Sequence, residues 1–142
     1  MTKYLYLRLI FICFILGWYS CDSSAQKTDP GIDALLELNT SYLLQHSENT
    51  MNVSIDQNNK MDDKKTAIQS VINFMRERSF SKYTIRHRGN SADGAQHYII
   101  ANLSSAKGTY RLFLHYSYQS KRIKEIRLIK PWASIISAEL PI

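Results

Sequence analysis

The sequence predicts an α+β domain: helices first, then an antiparallel sheet that they cover on one face. Two stretches before residue 80 carry apolar residues at helical spacing, and from residue 80 onward the period switches to two. The links between the later stretches are short and rich in Gly, Asn, Ser and Asp, so neighbouring strands run antiparallel. Helices segregated from an antiparallel sheet define the class.

Residues 1–25 read as a secretory signal. Lys3 and Arg8 precede or flank the apolar run Leu9 to Leu16, and Ser23 and Ala25 supply small residues at a cut site that leaves Gln26 first. Lipidation at Cys21 is the competing reading, opposed by the bulky Trp18-Tyr19-Ser20 before it. An uncleaved anchor is the weakest, because the run falls short of the ~20 residues that span a bilayer. The chain is therefore expected outside the cytoplasm, periplasmic or secreted, or membrane-anchored only through a lipid at Cys21. Cys13 lies in the signal and Cys21 is removed or lipidated, so residues 26–142 carry no disulfide framework and no thiolate metal site.

Those residues are expected to form one domain, with a core over 31–130 and an apolar tail over 131–142. The composition, 44% hydrophobic and 21% charged, is that of an ordered globular chain. The full chain has a formal charge of +6, and losing Lys3, Arg8 and Asp22 with the signal leaves +5. A mild positive field outside the cytoplasm suits anionic lipid, acidic glycan or acidic protein and excludes nucleic acid as a natural partner; simple solubility is the plainer explanation.

Asp29-Pro30 opens the first helix, since Asp accepts orphan amides and Pro fits the first turn. Ile32, Leu35, Leu36, Tyr42 and Leu43 place it over about 31–46, with Asn39-Thr40-Ser41 weakening its middle. Met51, Val53 and Ile55 alternate with polar residues as a short strand, and Gln57 to Lys60 read as a turn. The next helix starts at Asp62-Asp63, carries Ile68, Val71, Ile72 and Met75 on one stripe, and ends with Arg76 and Arg78, which complement its dipole. Strands are predicted over about 82–88, 95–104, 109–118 and 122–130.

The most apolar sheet face is assigned to the helices: Tyr98, Ile100, Tyr110, Leu112, Leu114, Ile126 and Leu128, extended by Tyr83, Ile85 and His87. The other face then holds Ile99, Phe113 and Ile129 among Arg86, Arg88, His97, Arg111, His115, Glu125 and Arg127. Such a patch either marks a partner site or lies under the C-terminal tail.

His87-Arg88-Gly89-Asn90-Ser91, Gly94, Tyr98-Ile99-Ile100, Leu103 and Gly108-Thr109-Tyr110-Arg111, with the helix from Lys65 to Met75, resemble a family of small secreted domains of unknown function from bacteria of the Bacteroides–Flavobacterium type. The resemblance spans about 32–130. It implies the nuclear transport factor 2-like (cystatin-like) cone: α+β, two helices packed on a curved antiparallel sheet of four to five strands. The motif has a structural explanation. Gly94 and Gly108 provide positive φ in tight turns, Tyr98 fills the cone, and Arg111 pairs across strands with Glu125 or a carbonyl.

Four chemistries follow. Cones of this kind host isomerases and dehydratases that use a pocket Asp or His as base, yet the predicted interior offers His87, Tyr98 and Tyr110 without a strand carboxylate. No Gly-rich phosphate loop is present and no cofactor is read. His97 and His115 could face each other across a turn, but two imidazoles make a poor zinc site, so no metal is expected. A small lipid or glycan in the cone would meet Tyr42, Tyr83, His87, Tyr98 and Tyr110. The leading expectation is a noncatalytic interaction or assembly module, binding a protein partner or itself as a homodimer, through Ile99, Arg111, Phe113, Arg127 and Ile129.

Overall fold

A computed structural model describes residues 28–94 and 96–131. The stretch read as a signal, both cysteines and the tail from Trp132 onward lie outside the described residues. Helix α1 spans Pro30–Leu36 and α2 Thr40–Gln45. Strands β1 (Ser47–Ile55) and β2 (Asn58–Asp63) form a hairpin, α3 spans Lys64–Arg78, and β3 (Lys82–Asn90), β4 (Gln96–Ser105), β5 (Gly108–Ser117) and β6 (Ile123–Ile129) form a meander. Among the described residues no helix is long and apolar enough to cross a membrane.

The local chemistry explains the helix ends. Asp29 caps α1, its Oδ1 accepting from the Gly31 and Ile32 amides at 3.0 and 3.2 Å. The expected single helix over 31–46 is two. Leu38 adopts φ 55, which no helix continues through, and Asn39 then caps α2 by accepting from the Tyr42 amide at 3.1 Å. Asp63 caps α3, accepting from the Thr66 hydroxyl at 2.7 Å. Ala67, Ile68, Val71, Ile72, Phe74 and Met75 form the buried stripe of α3.

The sheet has six strands in the order β2-β1-β6-β5-β4-β3, more than the expected four to five. It is mixed rather than purely antiparallel, because β1 lies parallel to β6, with Val53 opposite Ile126 and Ile55 opposite Leu128. The unexpected strand is β2, whose sequence Asn-Asn-Lys-Met-Asp-Asp has no apolar alternation. It sits at the sheet edge, where neither face need be buried, and Met61 is 73% exposed there.

Register decides the faces. Directly paired residues share a face, so Ile99 opposite Leu114, Ala101 opposite Leu112 and Leu103 opposite Tyr110 all turn toward the helices. Together with Ile32, Leu35, Leu43, Ile68 and Ile72 they make the core. The expected phase of β4 is therefore inverted: Ile99 is buried (1% exposed), while Tyr98 and Ile100 lie on the outer face. A one-residue slip moves every side chain across the sheet. His87 is displaced for a second reason. The pairing jumps from Ile85–Ala101 to His87–Ile100, so Arg86 is an extra residue and the bulge puts His87 outside and Arg88 inside. Tyr83, Ile85, Tyr110, Leu112, Leu114, Ile126 and Leu128 take the inner face as expected.

Candidate functional site

Most of the space between helices and sheet is filled by side chains; a hollow of about 380 Å³ opens between α3 and the β1–β2 hairpin, beside Val53, Asp62, Ala67 and Ser70. Ile32, Leu35, Leu43, Ile68, Ile99, Leu112 and Ile126 are all essentially inaccessible. The five residues expected to line one cone pocket are consequently dispersed. Tyr42 stacks on His46 with ring centroids 3.9 Å apart, beside a hollow of about 250 Å³ that also touches Asp29, His97, Tyr116 and Lys121. Tyr83 belongs to a polar cluster at the start of α1. His87 and Tyr98 meet on the outer face, and Tyr110 lies with Phe74 and Phe80 near the end of α3.

The polar cluster is built around Asp29, which is 6% exposed. Besides capping α1, its Oδ1 accepts from the Tyr116 hydroxyl at 2.8 Å, and its Oδ2 stands 3.8 Å from the Arg88 guanidinium. Arg88 also donates to the Thr28 carbonyl at 2.8 Å. The Asp29 amide donates to the Tyr83 oxygen at 3.0 Å, and Tyr83 in turn donates to Asp33 at 2.6 Å. Burial, and then the bond to Asp33, pushes the Tyr83 phenol up to about 12. Burial, and then the nearby Asp29 charge, drives Tyr116 far above the ordinary phenol value. Both phenols stay protonated and donate. The cluster pins α1 to β3 and β5, and Asp29 Oδ1 already accepts three hydrogen bonds. Asp29 and Pro30 are legible as a cap in the sequence. Tyr116 and Arg88 carry no such local signal.

The outer face presents two chemically distinct rows. In one, His87, Ile100, Phe113, Arg127 and Ser54 lie side by side across five strands. In the next, Tyr98, His115 and Glu125 do so. Glu125 accepts from Arg127 at 2.7 Å and lies 3.4 Å from His115 Nδ1, which is also 3.3 Å from Oε1 of the Gln96 side chain. Burial lowers the His115 pKa despite the pull of Glu125, and Arg127 adds to the lowering. Arg111 does not pair with Glu125; it stands opposite Asn102 and Ile129, and Glu125 is taken by its neighbours. Of the expected interaction surface, Arg111, Phe113, Arg127 and Ile129 share this face, and Ile100 takes the place of Ile99.

His97 and His115 do not face each other. His97 pairs with Tyr116 on the inner face and His115 with Tyr98 on the outer. Among the described residues no cluster of His, Cys, Asp and Glu has the makings of a metal site.

Helices closing one face of a curved mixed sheet, with the interior packed and the other face open, define the class of nuclear transport factor 2-like cones. Within that class the chain belongs to the family described as Domain of unknown function (DUF4783), whose model matches residues 31–128. A solved DUF4783 protein from Bacteroides ovatus is 18% identical with a TM-score of 0.64, over 75% of this chain and 97% of its own. One from Bacteroides fragilis is 22% identical with a TM-score of 0.63, over 74% and 100%. An NTF2-like protein of unknown function from Cytophaga hutchinsonii is 13% identical with a TM-score of 0.51, over 74% and 87%. At these identities the likeness is one of fold. No curated protein matches the chain.

Proposed function

We propose that the chain is an exported, noncatalytic interaction module of the cell envelope that binds a protein partner, a second copy or another chain, through the outer face of its sheet. One observation carries the reading: apolar side chains fill the centre of the helix-covered interior, while the opposite face keeps Ile100, Phe113 and Ile129 only partly covered. Arg111 and Arg127 border this strip, and its one acid, Glu125, is engaged by Arg127 and His115. An apolar centre with a charged rim is the anatomy of an interface. Asp29 is the buried carboxylate among the described residues. It holds a helix cap and a tyrosine.

Multi-angle light scattering of residues 26–142 tests self-association, and cross-linking in envelope extracts tests a foreign partner. Association by either route is expected to vanish in Phe113→Glu with the thermal midpoint nearly unchanged. A concentration-independent monomer, with cross-linking unaffected by Phe113→Glu, overturns the reading.

A further inference from the structure

The end of α3 and the β1–β2 turn enclose another hollow of about 490 Å³, touching the outer face at Ile129. Arg78 enters it from the last turn of α3. Its guanidinium carbon lies 5.5 Å from the ring centroids of both Phe74 and Tyr110, and these two rings meet edge to face at 5.2 Å. The rings hold the guanidinium in place. Its Nε is sealed from water with no hydrogen-bond partner, and among the described residues Arg78 forms no ion pair. The last-turn position alone would explain an arginine here, but no helix carbonyl accepts from it; Lys107 serves that end, donating to Glu77 at 2.7 Å.

Tyr110 lines the same hollow and is 3% exposed, and its hydroxyl makes no hydrogen bond among the described residues. Two strong donors thus border one open space without a protein acceptor among the described residues, and of their polar atoms only Arg78 Nε is shut off from water. Lys130 adds a second positive charge, and Asn58 and Gln57 add amides. Asp56 is the one acid. Burial first, and then the Asp56 charge, raises the Tyr110 pKa, which keeps the phenol a donor.

We propose that this hollow binds a singly charged oxyanion, a carboxylate or a phosphodiester, with the Arg78 fork as its receptor and Tyr110 and Lys130 as further donors. The single charge follows from the balance of Arg78 and Lys130 against Asp56: one positive charge is left uncompensated, which a monoanion neutralises, whereas a dianion costs more to desolvate. Ile129 borders both this hollow and the partner-binding face, but Arg78 and Tyr110 lie on the helix-covered side, so the two proposals stand or fall separately.

The test is an NMR titration of the full chain, reading the Arg78 Nε–Hε and Tyr110 ring signals. Acetate and dimethyl phosphate are the probes, sulfate is the dianion, and chloride at matched ionic strength is the control. Saturable shifts with acetate identify a carboxylate ligand, and with dimethyl phosphate a phosphodiester. Affinity is expected to fall roughly tenfold or more in Arg78→Gln and less in Tyr110→Phe. Arg78→Lys, which keeps the charge but not the fork, falls in between. Asp56→Asn narrows the preference over sulfate. Shifts no larger than those with chloride, tighter binding of sulfate, or full binding by a folded Arg78→Gln variant would overturn the proposal.

Discussion

The Tyr116 hydroxyl donates to Asp29 Oδ1 at 2.8 Å across 87 positions of sequence. Through this bond the end of β5 holds the cap of α1, so helix initiation and sheet closure share one carboxylate. Hydrogen bonds to a buried charged group contribute about 1.5–3 kcal/mol. Tyr116→Phe keeps the ring and removes the bond, and a loss of about 1–3 kcal/mol in urea unfolding is expected. Asp29→Ala removes the cap as well and is expected to lose more. Equal losses for the two variants would show that the tyrosine bond contributes all the stability attributed here to the carboxylate.

Gly31 is required by this geometry. A Cβ there would collide with the Tyr116 oxygen and stand 3.1 Å from both Asp29 Oδ1 and Leu114 Cδ2. Gly31→Ala gains helix propensity, yet overpacking of this kind costs about 1–3 kcal/mol and outweighs it. Removing the hydroxyl relieves the worst contact. In a double-mutant cycle, Gly31→Ala is expected to cost less in the Tyr116→Phe background than in the wild type. Strict additivity would contradict the contact.

The two raised phenols of the Asp29 cluster, with Tyr110 as a third, also shape the alkaline limb. A phenol whose folded pKa exceeds its unfolded value contributes stability that is full below the unfolded value and lost as pH rises through the folded one. For Tyr83 that window runs from 10.0 to about 12, and for Tyr116 it extends higher. Urea midpoints are expected to hold up to about pH 10 and to fall beyond it, with a shallower fall in Tyr83→Phe and Tyr116→Phe. Wild-type and variant profiles that run parallel above pH 10 would remove the phenols from the explanation.

Most of the architecture was legible because it is written in local patterns. The Asp29 and Asp63 caps, the stripe of α3 and the alternation of β3, β5 and β6 all depend on near neighbours. What escaped depends on distant ones. Tyr98-Ile99-Ile100-Ala101 is apolar on both phases, so alternation gave β4 no preferred face; pairing of Ala101 with Leu112 and Leu103 with Tyr110 decides it. The bulge at Arg86 leaves no sequence trace, and it alone moved His87 across the sheet. Polar β2 exists because a two-residue loop returns it along β1. Tyr110 stands out in the sequence as an inward-facing tyrosine, whereas Arg78 reads only as a favourable charge at a helix end.

The phase of β4 has a direct stability signature. Ile99 is fully buried and Ile100 is not, although they are neighbours of identical chemistry. Ile99→Ala is expected to cost about 2–5 kcal/mol in urea unfolding, the range for a buried isoleucine, and Ile100→Ala clearly less. Leu112 and Phe113 should repeat the contrast on β5. Reversal of either pair would mean that the strand is read in the wrong register.

His115 adds a response on the acid side of neutrality. Tyr98, Glu125 and Arg127 surround its ring, and burial outweighs the attraction of Glu125, so its pKa lies below the ordinary 6.5. The folded state therefore holds a neutral imidazole where the unfolded chain binds a proton. Stability tied to this group is full above pH 6.5 and declines as pH falls through the lower folded value. Protonation would also place a cation beside Arg127 on the face that we assign to partner binding. NMR titration of the ring should give a midpoint below 6.5. Urea midpoints should drop toward about pH 5 more steeply in the wild type than in His115→Gln. The other three histidines, His46, His87 and His97, are common to both proteins, so the comparison isolates His115. A midpoint above 6.5 would mean that Glu125, rather than burial, governs the site.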